Sequence, residues 1–221
     1  MKYAYVGDRS LLPVTTPSYS GSIPENYDRY LGPYIFELFA LDVVARVPVN
    51  PSRVLEIACG TGRVTAHLRK ALPAADIVAT DINPDMLAVA RRRVENDDID
   101  WQQADVQHLP FDDSQFDVVV CQFGLMFVPD QAKALREVHR VLRPGGKLLL
   151  GTWDRLDSNP SFSLANRHVA AYFPEEPPRF FYLPFSLYDE ALLLAMTGDA
   201  GFGDACVKLV SKTCTGDSAA K

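Results

Sequence analysis

Two glycines and three carboxylates stand where predicted strands end. The segment RVLEIACGTGRVT runs from an apolar strand into Gly60 and Gly62, which open a helix. Backbone N–H groups at such a turn bind polar or anionic ligand groups, and glycine lets the ligand approach closely. Thr65 stands where the dinucleotide-binding pattern has its third glycine, which counts against that class of ligand. Glu56 would repel a pyrophosphate but suits a ligand that carries an ammonium group.

Two more acids follow the next two predicted strands. Asp81 ends DIVATD, and an acid at that position can accept hydrogen bonds from both ribose hydroxyls. Asp105 ends IDWQQAD, where an acid can accept from the exocyclic amine of adenine. Each acid taken singly is more often a surface residue or a helix cap. Because the carboxyl ends of parallel strands meet at one edge of a sheet, the three acids together predict an adenosyl cofactor with a cationic tail.

The elements that must position these residues alternate between strand and helix. Strands are predicted at RVLEIA, DIVATD, IDWQQAD, FDVVVCQF and KLLLGTW. Helices are predicted at GRVTAHLRKAL, NPDMLAVARRRVEN and DQAKALREVHRVL, and RPGG is predicted to be the turn that ends the last of them. Repeated strand–helix–strand units indicate an α/β fold with a mostly parallel sheet and helices on both faces.

The chain is predicted to form one domain in four parts. Residues 1–24 form an irregular arm, and residues 25–153 form the cofactor-binding core. Residues 154–190 form an irregular cap rich in proline and aromatic residues, and residues 191–221 form a C-terminal helix with an edge strand. A helix from Pro24 to Val47 is predicted to precede the first strand. Gly32 and Pro33 are expected to break or kink that helix, because proline cannot continue an α-helix without distortion.

The bulk composition narrows the partners and the location. With a formal net charge of -6, the chain offers no general attraction for nucleic acid or for anionic membranes. No apolar run approaches the ~20 residues of a membrane span, and the first residues lack the apolar core of a signal peptide. The four cysteines show no metal-binding spacing, so we expect no metal site. A cytoplasmic protein with a small-molecule substrate is therefore predicted.

The same segments resemble the class I S-adenosylmethionine-dependent methyltransferases. The resemblance is carried by VLEIACGTGRVT, ATDINPDML, QQADVQHLPFDDSQFDVVVCQFGLMFVPD and LREVHRVLRPGGKLLLGTW. It extends over about residues 27 to 153, and it is closest to the group that includes the ubiquinone/menaquinone biosynthesis C-methyltransferases. It implies a Rossmann-like class I fold, S-adenosylmethionine as the cofactor and methyl transfer as the reaction.

The resemblance also assigns cofactor contacts by position. Glu56 would orient the ammonium group, and Ala58, Gly60 and Gly62 would line the methionine moiety. Asp81 would bind the ribose, Ile82 and Met86 would pack on the adenine, and Asp105 and Val106 would hold its polar edge. Gln122 would lie beside the amino group and the transferring methyl group.

Residues near these positions are candidates for the acceptor side. They are Tyr27 and Tyr30 in the leading helix, and Phe123, Met126 and Phe127 after the fourth strand. For the aromatic residues, ordinary core packing is the competing interpretation. The sulfonium already activates its methyl group, so transfer needs mostly proximity, orientation and desolvation, and no catalytic residue is assigned. His168 in the cap is the one candidate for a general base.

The acceptor is predicted to be small and apolar or aromatic. The position after the fourth strand reads CQFG and lacks the Asp/Asn-Pro-Pro-Tyr motif of DNA amino-methylating enzymes. Two other functions stay open. A non-catalytic protein that binds S-adenosylmethionine or acts as a scaffold would keep the same glycine turn. An NAD-dependent oxidoreductase would share Asp81 but would need neither Glu56 nor Asp105.

The end of the sequence departs from the resembling family. Methyltransferases of this fold normally close the sheet with two antiparallel strands, but here only one, ACVKLVSKTC, is predicted. We therefore expect the last strand to be missing. An uncovered edge strand favours pairing with a second chain, so a homodimer through the region around Ala205–Cys214 is predicted. The alternative is that this strand pairs directly with KLLLGTW, which would leave a six-stranded monomeric sheet.

Overall fold

The computed structural model describes residues 21–94, 98–175 and 181–215. Five strands form one sheet: β1 Arg53–Ile57, β2 Asp76–Asp81, β3 Ile99–Gln103, β4 Phe116–Gln122 and β5 Leu142–Gly151. The α-helices are α1 Ile23–Asn26, α2 Glu37–Val44, α3 Arg63–Ala71, α4 Pro84–Arg93, α5 Gln131–Val141, α6 Pro160–Tyr172 and α7 Glu190–Asp199.

The strand order is β3-β2-β1-β4-β5, and every pairing is parallel, as the alternating pattern predicts. The order reverses between β1 and β4, because the chain builds outward from β1 in one direction and then returns to its other side. In open α/β sheets a ligand binds outside the carboxyl ends of the strands at this reversal. The glycine turn that follows β1 lies at this position.

Both faces of the sheet are covered, which confirms the predicted arrangement of layers. Leu55 and Ile57 of β1 belong to one core cluster together with residues of α5. Val54 belongs to a second cluster together with residues of α2, α3 and α4. Because successive side chains of a strand point to opposite faces, this division shows that β1 is buried on both sides.

The leading helix, residues 23–44, is continuous, so Gly32 and Pro33 do not break it, and the kink expected there as the alternative stays a prediction. Between α1 and α2 the chain forms a π-helix over Tyr27–Phe36, with Pro33 inside it. The backbone N–H of Glu37 donates to the carbonyl of Gly32, five residues earlier. Proline removes an α-helical hydrogen bond, and the wider π turn keeps the helical path without that bond.

Two predictions about the later part of the chain are also corrected. The cap is not wholly irregular, because residues 160–172 form α6, with Pro160 in its first turn. The segment RPGG is not a separate turn: Arg143 to Gly146 belong to β5, where the register with β4 shifts.

The predicted sixth strand does not form. Residues 205–215 contain no strand, and Leu209 at the centre of the predicted strand is 77% exposed. A cavity of about 1750 Å³ separates this segment from β5, with Lys147, Leu149 and Val207 among its lining residues. The alternating pattern of ACVKLV is typical of a strand, but a strand also needs partner backbone groups within hydrogen-bonding distance.

Candidate functional site

The turn after β1 places its two glycines for different reasons. Both have left-handed backbones, with φ of 55° at Gly60 and 74° at Gly62. A Cβ atom built on Gly60 would meet nothing within 4 Å, so this residue borders open space. A Cβ atom on Gly62 would lie 2.9 Å from Cβ of Ala90 and 3.1 Å from the ring of Trp101. Gly60 therefore leaves room for a ligand, whereas Gly62 allows α3 to begin close to α4 and β3.

Glu56 is a fully buried carboxyl group one residue before the end of β1. Its Oε2 accepts a hydrogen bond of 2.6 Å from the hydroxyl of Thr65. Burial raises the pKa of Glu56 to about 8, the Thr65 hydrogen bond opposes this rise, and the charge of Asp81 adds to it. A carboxyl group in this state ionises more readily when a cation approaches, which suits an ammonium group as its ligand.

Asp81 ends β2 beside the glycine turn. Its Oδ2 accepts from the backbone N–H of Gly60 at 2.8 Å, and its Oδ1 accepts from that of Asn83 at 2.9 Å. Burial raises the pKa of Asp81, while these backbone hydrogen bonds oppose the rise. Each carboxylate oxygen can accept a further hydrogen bond, so the pair of oxygens fits two adjacent hydroxyl groups.

The tips of β2 and β3 combine an exposed apolar residue with an acid. Ile82 is 62% exposed, although it lies at the end of a buried strand, and Met86 is buried nearby in α4. Asp105 accepts from the backbone N–H of Gln107 at 2.8 Å and also from its side-chain amide. Burial raises the pKa of Asp105, but the hydrogen bonds from Gln107 and the nearby His108 hold it below its ordinary value. Asp105 therefore caps the short 3-10 helix that begins at Val106.

The loop after β4 reaches the glycine turn through a residue that sequence reasoning did not single out. A Cβ atom on Gly124 would lie 2.5 Å from Cβ of Ala58, so the loop contacts the start of the turn there. The side-chain amide of Gln122 lies over Gly151 of β5, because a Cβ atom built on Gly151 would overlap it. Its predicted place beside a transferring methyl group stays a prediction.

An aromatic cluster surrounds the tips of β4 and β5. The rings of Phe123 and Trp153 stack with centroids 4.0 Å apart and planes 2° apart. Phe36 and Phe39 of the leading helix contact both rings, and α6 adds Phe162. Phe123 has a φ of 55°, which is rare for a bulky residue and marks a backbone held by its surroundings.

The other acceptor-side candidates lie in different environments. Tyr27 stacks on Phe36 with ring centroids 5.0 Å apart, so it joins the aromatic cluster. Tyr30 is 56% exposed and lies beside Arg29. Met126 is buried in the core, Phe127 is half-buried against that core, and His168 is exposed on α6. The structure thus brings Tyr27 and Phe123 together through Phe36, and it leaves Met126 in a packing position.

Sequence reasoning missed most of the aromatic cluster and a group of charged residues beside the glycine turn. The missed aromatic residues come from α2, the end of β5 and the cap, which are far apart in sequence. The charged residues are Asp28, Arg63 and Arg93. The one sequence signal for this group is YDRYL in the leading helix, where Asp28 follows Tyr27.

The described ranges contain neither a candidate membrane span nor a candidate metal site. No helix in those ranges combines the length and the apolar composition that crossing a membrane requires. The same ranges contain no group of three or more histidine, cysteine, aspartate or glutamate side chains arranged to bind a metal ion.

Comparison with known proteins identifies the class. Residues 55–150 match the family model described as "Methyltransferase domain". This range contains the glycine turn, the three acids and most of the parallel sheet, which together define a class I S-adenosylmethionine-dependent methyltransferase domain. A SAM-dependent methyltransferase from Thermotoga maritima has the same fold, with a TM-score of 0.59 and 24% identity over 80% of this chain and 76% of that one.

The more similar sequences are quinone-biosynthesis methyltransferases. The ubiquinone/menaquinone biosynthesis C-methyltransferase UbiE of Cronobacter sakazakii is 36% identical over 169 residues, which are 68% of this chain and 66% of that protein. The demethylmenaquinone methyltransferase of Clavibacter sepedonicus is 39% identical over 135 residues, which are 61% of this chain and 53% of that protein. The chain spans about half to two thirds of the length of these curated relatives.

S-adenosylmethionine is the cofactor that this class implies, and the residues present fit it. The open space at Gly60 and the buried acid at Glu56 suit its aminoacyl group. The two oxygens of Asp81 suit its ribose, and the exposed Ile82 offers an apolar surface for its adenine.

Proposed function

We propose that the chain binds S-adenosylmethionine at the tips of β1, β2 and β3 and transfers its methyl group to a small apolar or aromatic acceptor. The observation that carries the proposal is a pair of buried carboxyl groups, Glu56 and Asp81, on either side of a glycine turn that opens to space at Gly60. Burying two acids together is costly unless a ligand or hydrogen bonds compensate for it. A cofactor with one ammonium group and two ribose hydroxyls supplies that compensation.

In this proposal each tip of the sheet holds one part of the cofactor. Glu56 orients the ammonium group, and Ala58, Gly60 and Gly62 line the methionine moiety with backbone. Asp81 accepts hydrogen bonds from the ribose. The adenine lies on the apolar surface of Ile82 and Met86, and its polar edge lies near Asp105 and Val106. Gln122 would have to turn away from Gly151 to approach the methyl group.

The acceptor side is proposed to be the aromatic cluster at the tips of β4 and β5. The bound cofactor supplies a methyl group that is already activated, so the protein contributes orientation and the exclusion of water. Phe36, Phe123 and Trp153 provide an apolar surface beside the loop that contacts the glycine turn. Planar apolar acceptors suit such a surface. The relatives named for quinone biosynthesis support a ring of that kind.

The test begins with binding and continues with turnover. Calorimetry should detect S-adenosylmethionine but not NAD, because Thr65 occupies the position of the third glycine in the dinucleotide-binding pattern. Radiolabelled methyl groups should then be transferred to one or more members of a panel of phenols and reduced naphthoquinones. Tight binding without any transfer would favour the non-catalytic alternative, while binding of NAD in place of S-adenosylmethionine would favour the oxidoreductase.

We further propose that two copies associate along the outer edge of β5. This edge spans ten residues and has no strand partner on its outer side among the described residues. Val207 and Leu209 nearby are exposed apolar side chains outside the sheet. Unpaired backbone groups beside exposed apolar residues favour pairing with another chain. The association is expected to involve the segment from Ala205 to Cys214.

The remaining parts of the proposal concern partners and location. The net charge of -6 supports a small-molecule substrate rather than nucleic acid. The cysteine pattern, which shows no pairing in sequence, supports a reducing compartment such as the cytoplasm. The proposed division of the chain into core and cap rests on the end of the parallel sheet at Gly151, just before Trp153.

A further inference from the structure

A charged cluster joins the leading helix to the glycine turn. Asp28, in the π-helix, accepts at Oδ1 from the hydroxyl of Thr61 at 2.9 Å and from Nη2 of Arg63 at 3.2 Å. Arg93, in the last turn of α4, also donates to Oδ1 of Asp28. One carboxylate therefore contacts three elements: the glycine turn, α3 and α4.

The cluster makes two hydrogen bonds to Thr61, which lies between the two glycines of the turn. Its hydroxyl donates to Asp28, and its carbonyl accepts from Nε of Arg93 at 3.1 Å. Thr61 is buried, with 4% exposure. The neighbouring Gly60 and Gly62 both have positive φ angles. Glycine can adopt many other backbone conformations, so the turn by itself is only weakly restricted to this one. Contacts to both sides of Thr61 reduce that freedom.

Gly32 provides the room for this cluster. A Cβ atom at Gly32 would overlap the guanidinium of Arg63, which passes over the π-helix at this point. The same guanidinium forms an ion pair with Glu37, and Glu37 accepts from Nε2 of His67 at 2.7 Å. Burial raises the pKa of Asp28, but the hydrogen bonds and charges of Arg93, Thr61 and Arg63 outweigh it and hold the pKa below its ordinary value. Asp28 is therefore ionised at neutral pH.

The cluster also reaches the aromatic side of the site. Tyr27, which precedes Asp28, stacks on Phe36, and Phe36 contacts Phe123 after β4. The π-helix thus contacts the glycine turn through Asp28 and the aromatic cluster through Tyr27. A helix fixed at both points cannot move away from one without disturbing the other.

We propose that Asp28 is a positioning residue, which holds Thr61 and thereby fixes the glycine turn in the conformation that receives the cofactor. This inference rests on the proposed function, because the turn is taken to bind S-adenosylmethionine. Asp28 touches no part of that proposed ligand site directly and acts through Thr61 and Arg93. The proposal assigns to the leading helix a role in cofactor affinity as well as in covering the core.

The test compares three variants by calorimetry with S-adenosylmethionine and by thermal unfolding without ligand. Asp28→Asn removes the charge, and we expect the affinity to fall about tenfold, as for loss of hydrogen bonds to a charged group. Gly32→Ala should give a similar loss by displacing Arg63, although alanine favours a helix more than glycine does. Glu25→Gln is the matched control. It breaks the exposed ion pair between Glu25, in α1 of the leading helix, and Arg92, and it should leave the affinity unchanged.

A double-mutant cycle separates positioning from simple support of the fold. Thr61→Val removes the hydroxyl but keeps the shape, and its loss of affinity should not add to that of Asp28→Asn if both act through one contact. Full additivity, or an Asp28→Asn protein that melts earlier but binds as tightly as the original, would overturn the proposal. If Asp28→Asn does not fold, Gly32→Ala and Thr61→Val carry the same comparison.

Failure of the proposed function gives a different result. In that case the unaltered protein would not bind S-adenosylmethionine at all. The role of Asp28 in fixing the turn is then measured by amide hydrogen exchange of residues 59–62 in the ligand-free protein. Faster exchange there in Asp28→Asn, but not in Glu25→Gln, would support the contact with the turn, and equal exchange in both would overturn it.

Discussion

The tips of β1, β2 and β3 differ from the outer edge of β5 in how their polar groups find partners. At the tips, Asp81 accepts from Gly60 and Asn83, and Asp105 accepts from Gln107. Along the outer edge of β5 the described residues provide no pairing strand, and a cavity separates that edge from residues 205–212. At the tips, the hydrogen-bond partners come from neighbouring residues and from the central strands. Along the outer edge of β5, the backbone groups need a partner strand from a distant segment or from another chain.

The largest expected effect is at the tip of β2. Asp81→Ala removes the acceptor for both ribose hydroxyls, and each hydrogen bond to a charged group is worth about 1.5–3 kcal/mol. It also removes the partner of the Gly60 backbone N–H, which links β2 to the glycine turn. Calorimetry should show S-adenosylmethionine binding weakened by at least about a hundredfold. Affinity equal to that of the original protein would show that the ribose assignment is wrong.

The next effect is a dependence on pH at the tip of β1. The pKa of Glu56 is raised to about 8 in the folded protein without ligand, so the carboxyl group is mostly protonated at pH 6. An ammonium ligand favours the ionised form, so its binding must displace a proton below pH 8. Affinity for S-adenosylmethionine should therefore rise by up to about tenfold per pH unit between pH 6 and 8. Glu56→Gln should bind weakly, with little pH dependence.

The same group changes the stability of the protein without ligand. The folded-state pKa of Glu56 lies above its ordinary value of 4.5, so the folded state holds a proton that the unfolded state has released between these two values. Stability should consequently fall as pH rises from 4.5 to 8, by on the order of 1 kcal/mol per pH unit for a group buried in this way. Urea titrations should show that slope reduced in Glu56→Gln. An unchanged slope would mean that Glu56 is ionised in the folded protein.

The third effect is at the tip of β4, between the two regions. Phe123→Ala removes the stacked partner of Trp153 and two further aromatic contacts. We expect the free energy of unfolding to fall by about 2 kcal/mol, which is less than for a fully buried phenylalanine. Tyr30→Ala, at an exposed position of the leading helix, should change it by under about 0.5 kcal/mol. Similar urea midpoints for the two variants would contradict a stabilising role for the cluster.

The sequence predicted the central sheet and the positions of the three acids near its strand ends because these signals are local. Buried parallel strands have nearly continuous apolar runs, and Asn83 with Pro84 is an evident helix start, which the structure confirms with Asn83 accepting from Asp85 at 2.8 Å. The sequence did not predict the π-helix, because the favourable path around Pro33 depends on contacts with α3. It predicted a sixth strand wrongly, since alternation specifies a strand but not its partner.

The smallest expected effect concerns the association of two copies along β5. The other edge strand, β3, has only five residues and a polar sequence, IDWQQ, so it offers a poor surface for pairing. β5 has ten residues and includes the three consecutive leucines Leu148–Leu150, with Val207 and Leu209 exposed beyond the cavity. Sedimentation at micromolar concentration should therefore show dimers.

Leu209→Lys should shift the population toward monomers while changing the unfolding free energy by less than about 0.5 kcal/mol, because its side chain is exposed. Leu164→Lys, at an exposed position of α6, is the matched control and should leave the dimer intact. A monomer at all concentrations would contradict the proposed dimer.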